Sequence, residues 1–245
     1  MDKICLATLH TPNMDELAEM TLPSKASYCQ RQGYELRNKR QTSRLEKKVW
    51  TKKPEGHESW PYDGFDKVNY ITELLSERSD DVRRTKYDWI FWCDCDTLIT
   101  NQSISVEQFM EDDKDFIITV DHAGLNGGVF LLRNSVQGWV FWRELKEKMY
   151  QTAHLNDFLF GEEQTAMQML VEDERFQARV KILPQKAFNS YPYKEVYGHP
   201  NGYPDKTGAN GTWEPGDFVI HIPGFGPDLY ERRLQHFKQF LPLIK

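Results

Sequence analysis

At 245 residues the chain is long enough to bury one α/β core. Its net charge of -6 argues against a general nucleic-acid binder, whose affinity rests on neutralised phosphates, although an acidic chain still accommodates an anionic ligand when a divalent cation bridges the two. Cys5, Cys29, Cys93 and Cys95 lack zinc-finger spacing and read as reduced, buried thiols, and no window approaches the ~20 apolar residues of a membrane-spanning helix.

Residues 3–9 form an apolar run that reads as a buried first strand, closed by His10-Thr11-Pro12-Asn13. The spacing of Met14, Leu17, Ala18, Ala26 and Cys29 predicts a helix over 14–32, which Pro23 should kink or split and Gly33 should stop. Residues 34–36 read as a second strand, and this strand–helix–strand opening implies parallel pairing with a right-handed crossover. The charged, turn-rich stretch 38–64 reads as a long loop. Val68, Ile71, Leu74 and Leu75 share one face of a helix over 66–79, followed by a charged connection over 78–86.

Residues 88–92 read as another buried strand, which runs into CDCDTLITN. Ser103 or Ser105 can cap a short helix ending at Met110, and 115–120 is the next strand. Gly127-Gly128 opens a strand with VFLLRN, after which Ser135 caps a helix with Val136, Trp139, Val140 and Met149 inward. A helix over 161–171 carries Ala166, Met167 and Leu170 on one side. Late strands are expected at 180–183 and 217–222, with a Gly/Pro/Tyr/Asn-rich loop of lid-like composition over 189–216 and a last helix over 228–241. The alternation of strand and helix predicts one α/β domain.

Asp94-Cys95-Asp96 is the strongest local signal. The preceding Trp89-Ile90-Phe91-Trp92 is apolar on both faces, as a central strand is, and ligands gather at the carboxyl ends of such strands. Two carboxylates there repel each other and lose hydration unless a cation sits between them, and oxygen ligands suit Mg2+ or Mn2+, which keep positions for phosphates. A solvated acidic turn with Asp96 as a cap is the other reading of the same residues.

Here the sequence resembles a family. WIFWCDCDTLITN is similar to the Asp-x-Asp segment of the galactosyl- and xylosyltransferases of glycosyltransferase family 34. KASYCQRQGYEL, FDKVNYITELL, GLNGGVFLLRNS, GEEQTAM, PQKAFNSYP and GDFVIHIPG resemble further family segments in the family's own order, over roughly residues 3–240. The resemblance implies a GT-A fold: a Rossmann-like nucleotide-binding sheet with helices on both faces, in a single domain spanning 1–245. About 1–100 would form its nucleotide-binding half and about 101–245 its acceptor and catalytic half.

The resemblance also implies roles, position by position. Asp94, Asp96 and His221 match the metal ligands, with Mn2+ or Mg2+ as cofactor, and Asp94 also faces the donor. Thr8 and His10 match nucleotide contacts at the first strand end, with ordinary loop polarity as the alternative. Lys67 matches a position near the nucleotide-sugar, or is a solvated helix lysine. Asn126, Gly127 and Gly128 match the wall facing the donor sugar, with Asp121 just before it, although Asn-Gly-Gly also favours a β-bulge. Gly224 and Gly226 can let backbone approach the diphosphate or be plain turn glycines.

Glu163 and Gln164 match the segment beneath the anomeric carbon. Acids at 162 and 163 also suit a first helical turn. Many relatives carry a lysine after the histidine; this chain reads His221-Ile222-Pro223-Gly224-Phe225-Gly226-Pro227, which leaves Arg232, Arg233 or the metal itself to neutralise the leaving group.

The implied reaction is retaining transfer from a nucleotide-diphosphate sugar, UDP-sugar favoured, to a glycan hydroxyl. Gln164 would face the sugar in a front-face mechanism, or Glu163 would act as nucleophile. An inverting enzyme with Glu163 as base, and a non-catalytic carbohydrate- or nucleotide-binding protein on the same scaffold, are the alternatives. A nucleotidyltransferase is disfavoured because LATLHTPNM is no Gly-rich basic loop. Tyr191, Tyr193, Tyr197, Tyr203 and Trp213 can stack on an acceptor or form the loop's own core. The first strand follows Met1 closely, which reads as a soluble cytoplasmic enzyme, bacterial or viral; the alternative is a Golgi-lumenal chain shortened of its anchor, since the family's eukaryotic members are Golgi type II proteins.

Overall fold

A computed structural model describes residues 2–40, 64–152, 162–223 and 227–244. Strand β1 (Ile4–His10) leads through helix α1 (Asp15–Gln32) to β2 (Glu35–Arg40), and helix α2 (Gly64–Ser76) precedes β3 (Trp89–Cys93) and the short β4 (Thr97–Ile99). Strands β5 (Phe116–Val120) and β6 (Leu125–Arg133) follow, then helices α3 (Val136–Thr152), α4 (Glu162–Val171) and the short α5 (Glu174–Gln177). Strand β7 (Val180–Leu183), the single-turn α6 (Tyr193–Tyr197), β8 (Val219–His221) and α7 (Pro227–Phe240) complete the order.

Six strands form one sheet in the order β2-β1-β3-β6-β5-β7, and β4 and β8 form a separate two-stranded ladder. Strand β1 pairs in parallel with both β2 and β3, as the strand–helix–strand opening requires. Strand β6 runs antiparallel to β3 and β5, so the sheet is mixed.

Successive side chains of a strand point to opposite faces, and both faces are covered here. Cys5, Ala7, Ile90, Trp92, Phe130 and Leu132 pack with α2, α3 and α4 on one side. Ile4, Leu6, Phe91, Cys93 and Leu131 pack with Tyr28 and Cys29 of α1 on the other. A third cluster, including Leu17, Leu98, Ile220, Leu234 and Phe237, joins α1, β4, β8 and α7. That arrangement is the expected sheet with helices on both faces.

Several local expectations are corrected. Helix α1 is unbroken through Pro23, whose side chain is exposed, as is Glu19 one turn earlier; the carbonyl that the proline leaves unbonded therefore faces water. Gly33, at φ 76°, ends the helix as expected. Ala26 is exposed, and the buried face of α1 instead carries Thr21, Ser24 and Lys25. Strand β2 extends through Arg40 into what reads as loop; the rest of that stretch, 41–63, lies outside the described residues. Strand β6 starts at Leu125, before the glycine pair. Val136 is 77% exposed rather than inward. Ser135 caps α3 by accepting from Gly138 N at 3.0 Å, and Ser105 caps a 3-10 turn instead of an α-helix. No helix among the described residues is long and apolar enough to cross a membrane.

Candidate active site

The site grows from the end of β3. Asp94 N donates to Gly128 O of β6 at 2.8 Å, so the chain leaves the sheet only after this residue. The turn that follows is held at three carbonyls: Thr97 Oγ1 donates to Asp94 O at 2.7 Å, Thr21 Oγ1 to Cys95 O at 2.8 Å and Lys25 Nζ to Thr97 O at 2.6 Å. Strand β4 then pairs antiparallel with β8, placing Thr97 opposite His221, and Ile222 N donates to Asp96 O at 3.1 Å. In this way a residue more than a hundred positions away reaches the acidic pair. Ligand atoms of Asp94, Asp96 and His221 all lie within 4.8 Å of one another.

His221 Nε2 lies 3.3 Å from Asp96 Oδ1, while Nδ1 lies 2.7 Å from Asn189 Oδ1. An amide oxygen accepts, so Nδ1 carries the proton and the Nε2 lone pair faces the carboxylates. This is the orientation a metal ligand needs. Gly128 lies beneath the ring, and a Cβ there would fall on it. Two carboxylates and one oriented imidazole are a fitting donor set for Mn2+ or Mg2+.

Cations flank the pair. Lys67 is 1% exposed, which rules out a solvated lysine. Its Nζ lies 3.0 Å from each of Asp94 Oδ1, Glu163 Oε1 and Gly127 O, and Trp92 Nε1 also donates to Asp94 Oδ1 at 2.7 Å. On the other side Arg233 Nη1 stands 3.3 Å from Asp96 Oδ2. Burial works to raise both carboxyls. It prevails at Asp94, where Lys67 opposes it and Asp96 reinforces it, but at Asp96 the Arg233 guanidinium opposes it most strongly, and the group is held well below the usual carboxylate range. Burial pushes Lys67 down, and Asp94 and Glu163 more than restore it.

The wall of the site is the irregular start of β6. The β5–β6 register shifts between Ile118 and Thr119, so Gly127 and Gly128 sit in a bulge, as Asn-Gly-Gly also suggests. Gln164 Oε1 accepts from Gly127 N at 2.9 Å, and Glu163 is joined to the next peptide's carbonyl, Gly127 O, through Lys67. Asn126 is buried, and its amide is committed internally: Nδ2 donates to Tyr191 OH at 2.6 Å and Asp121 Oδ2 at 3.1 Å, while Oδ1 accepts from Gly128 N at 2.9 Å. Asp121 is likewise an internal anchor, accepting from Tyr191 OH at 2.7 Å and from Ala123 N at 2.7 Å.

Other expected residues fall into place differently. Thr8 and His10 lie at the same carboxyl edge, because β1 is the parallel neighbour of β3 with Ala7 opposite Trp92. The Thr8 hydroxyl is buried with no hydrogen-bond partner among the described residues, and His10 is tied to Asn38 at 3.2 Å and Asp15 at 3.3 Å. Gly224, Gly226 and the Arg232 side chain lie outside the described residues. Tyr191 and Tyr193 are buried against each other within the late loop, and Trp213 is buried in the third cluster, against Phe240 of α7. Tyr203 is 37% exposed and stacks on His122 at 5.2 Å. Lys25, Thr21 and Asn189 were not singled out from the sequence; polar residues at helical spacing on the buried face of α1 were the available signal for the first two.

With this geometry in view, similarity to known proteins is informative. A protein of Saccharomyces cerevisiae named probable alpha-1,6-mannosyltransferase MNN10 is 25% identical over 252 residues, covering 86% of this chain and 56% of that protein. An alpha-1,2-galactosyltransferase of Schizosaccharomyces pombe is 21% identical over 244 residues, covering 84% of this chain and 56% of its own length. The chain thus spans little more than half the length of these relatives.

Among solved structures, a glycosyltransferase involved in glycosylation of the major capsid of PBCV-1 superposes with a TM-score of 0.62 at 15% identity, covering 96% of this chain and 99% of that one. The galactosyltransferase LgtC, in complex with donor and acceptor sugar analogues, gives 0.59 at 11% identity, covering 98% and 96%. The fold is therefore GT-A. The family model described as the galactosyl transferase GMA12/MNN10 family matches residues 5–114 and 108–227, and the chain belongs to that family, glycosyltransferase family 34.

Proposed function

We propose that this protein is a retaining, metal-dependent glycosyltransferase that moves a sugar from a UDP-sugar to a glycan hydroxyl. The observation that carries the reading is the convergence of Asp94, Asp96 and His221 within 4.8 Å at the carboxyl edge of a central strand. A Mn2+ or Mg2+ held there supplies Lewis-acid stabilisation of the departing diphosphate. The chain is read as one domain, its first half giving Lys67, Asp94 and Asp96 and its second half Gln164, His221 and Arg233.

Arg233 takes the place of the lysine absent after His221: it brings a guanidinium to the Asp96 side of the pair, where charge develops on the leaving group. Lys67 fixes Asp94 and, through Glu163 and Gly127, the wall beside it. Thr8 and His10 shape the nucleotide edge from within, and Asn126 holds the Gly127-Gly128 bulge against the donor sugar. Gln164, locked by Gly127 N, faces the anomeric centre and stabilises its developing positive charge. The departing phosphate takes the acceptor proton, and the acceptor enters on the same face, so configuration is kept.

Glu163 as nucleophile or as inverting base is the weaker reading, because its carboxylate is buried and already held by Lys67 at 3.0 Å. The acceptor side is read at Tyr203 and His122. This exposed stack is linked to His221 by Tyr193 and Tyr191 at ring spacings of 5.2 to 6.0 Å.

Calorimetric titration of UDP- and GDP-sugars with and without Mn2+, on the wild type and Asp96→Ala, tests the reading. We expect Mn2+-dependent binding of a UDP-sugar that weakens at least about tenfold in the variant. No binding of any donor at about 1 mM, the upper range of enzyme Michaelis constants, sinks it. NMR of the product separates the stereochemical outcomes, since a β-linked product from an α-donor excludes retention.

A further inference from the structure

Lys25 has no part in the mechanism above, yet it is 0% exposed on the face of α1 that lies beneath the Asp94–Thr97 turn. A buried ammonium is costly, and an apolar side chain would fill the same space without that cost. Its Nζ donates to Thr97 O at 2.6 Å, and Thr97 is the register partner of His221. The ionisable groups facing it are Cys95, Cys93, Asp96 and Asp94, and burial lowers the lysine against their pull, so the ammonium is held here at a cost. With Lys67 on Asp94 and Arg233 on Asp96, the acidic pair is enclosed by positive charge from three elements.

Building on the metal-site reading, we propose that Lys25 is a positioning residue whose charge stands in for part of the charge of the divalent ion. It keeps the turn and strand β4 in place when the metal is absent, and so keeps the three ligands gathered. Because Lys25 and the metal are attracted to the same two carboxylates, each weakens the hold of the other, and by linkage the coupling is reciprocal. Wild type is therefore preformed at the expense of metal affinity.

The test compares wild type with Lys25→Gln, which keeps a donor for Thr97 O but loses the charge, and with Lys25→Met, which loses both. Thr21→Val, which removes only the neutral clamp on Cys95 O, is the control. Mn2+ dissociation constants are measured by calorimetry, and thermal midpoints in EDTA and in saturating Mn2+, with no donor present. We expect both Lys25 variants to bind Mn2+ about tenfold more tightly than wild type. Their midpoints should fall in EDTA and largely recover in Mn2+, whereas Thr21→Val should lose a similar amount in both.

A lysine that merely fills the core predicts unchanged or weaker Mn2+ binding and an equal deficit in both conditions, and that result overturns the proposal. So does failure of both Lys25 variants to fold even in Mn2+. If wild type itself neither binds Mn2+ nor gains stability from it, the metal-site reading fails first, and the role of Lys25 fails with it.

Discussion

Asn189 and Gly128 make the sharpest statements at the scale of single residues. Asn189 touches His221 alone among the candidate ligands, through one hydrogen bond of 2.7 Å to Nδ1. Losing it frees the ring to rotate and to change tautomer, so Asn189→Ala should weaken Mn2+ binding about 10–100-fold while the fold persists, measured by calorimetry beside a far-ultraviolet spectrum. An unchanged affinity would show that β8 packing alone orients the ring. Gly128→Ala places a methyl group onto the His221 ring, and either the ring or the bulge must give way. We expect a stability loss of about 1–3 kcal/mol by denaturant titration, together with loss of metal binding. Full metal affinity in that variant would show that the ring has room to move.

Among the elements, α1 and the β4–β8 ladder decide the site. Helix α1 was legible as a helix, but its buried face was not, because Thr21, Ser24 and Lys25 interrupt the apolar pattern. Thr21 and Lys25 are polar because they bond the Cys95 and Thr97 carbonyls, and Ser24 because it accepts from Ile99 N, and such distant partners leave no periodic trace in the sequence. Pro23 is the converse case: a local rule anticipates a break, and solvent on its face relieves it. Pro23→Ala restores one helical hydrogen bond against a small loss of chain stiffness, so it should stabilise by ~1 kcal/mol, read as a higher denaturation midpoint. A destabilised variant would show that the proline serves packing. The β4–β8 pairing is three residues long on each side, yet it carries His221 to Asp96. The acidic pair was readable from its neighbours; His221, the third candidate ligand, needed the family pattern, since nothing local marks a lone histidine.

For the whole molecule, pH reports how completely the interior is closed. Burial pushes Cys29 and Cys95 up from an ordinary value near 9 to about 12, and raises Cys5 and Cys93 as well. Burial likewise takes Tyr34 and Tyr87 to about 12. A folded-state value above the unfolded one means that the folded chain holds its proton longer. The stability this represents is whole below about pH 8.5 and is lost progressively as pH rises toward the folded values. Denaturant midpoints should therefore fall between about pH 9 and 12, and a thiol reagent at about pH 8 should label the cysteines of the native protein far more slowly than those of the denatured one. Fast labelling in native buffer would mean that the sheet opens around β1 or β3.

The sequence by itself determined an α/β chain with a central apolar strand ending in an acidic pair, because hydrophobic periodicity and a charged strand end are local properties that neighbouring residues express. It also carried the ordered set of segments that marks the family. Tertiary structure alone decided the antiparallel course of β6, the internal commitment of Asn126 and Glu163, the pairing of Lys67 with Asp94 and of Arg233 with Asp96, and the buried lysine behind the turn. Each of these depends on which distant backbone or charge a side chain meets. Such meetings are set by the packing of helices against both faces of the sheet, and no window of neighbouring residues contains them.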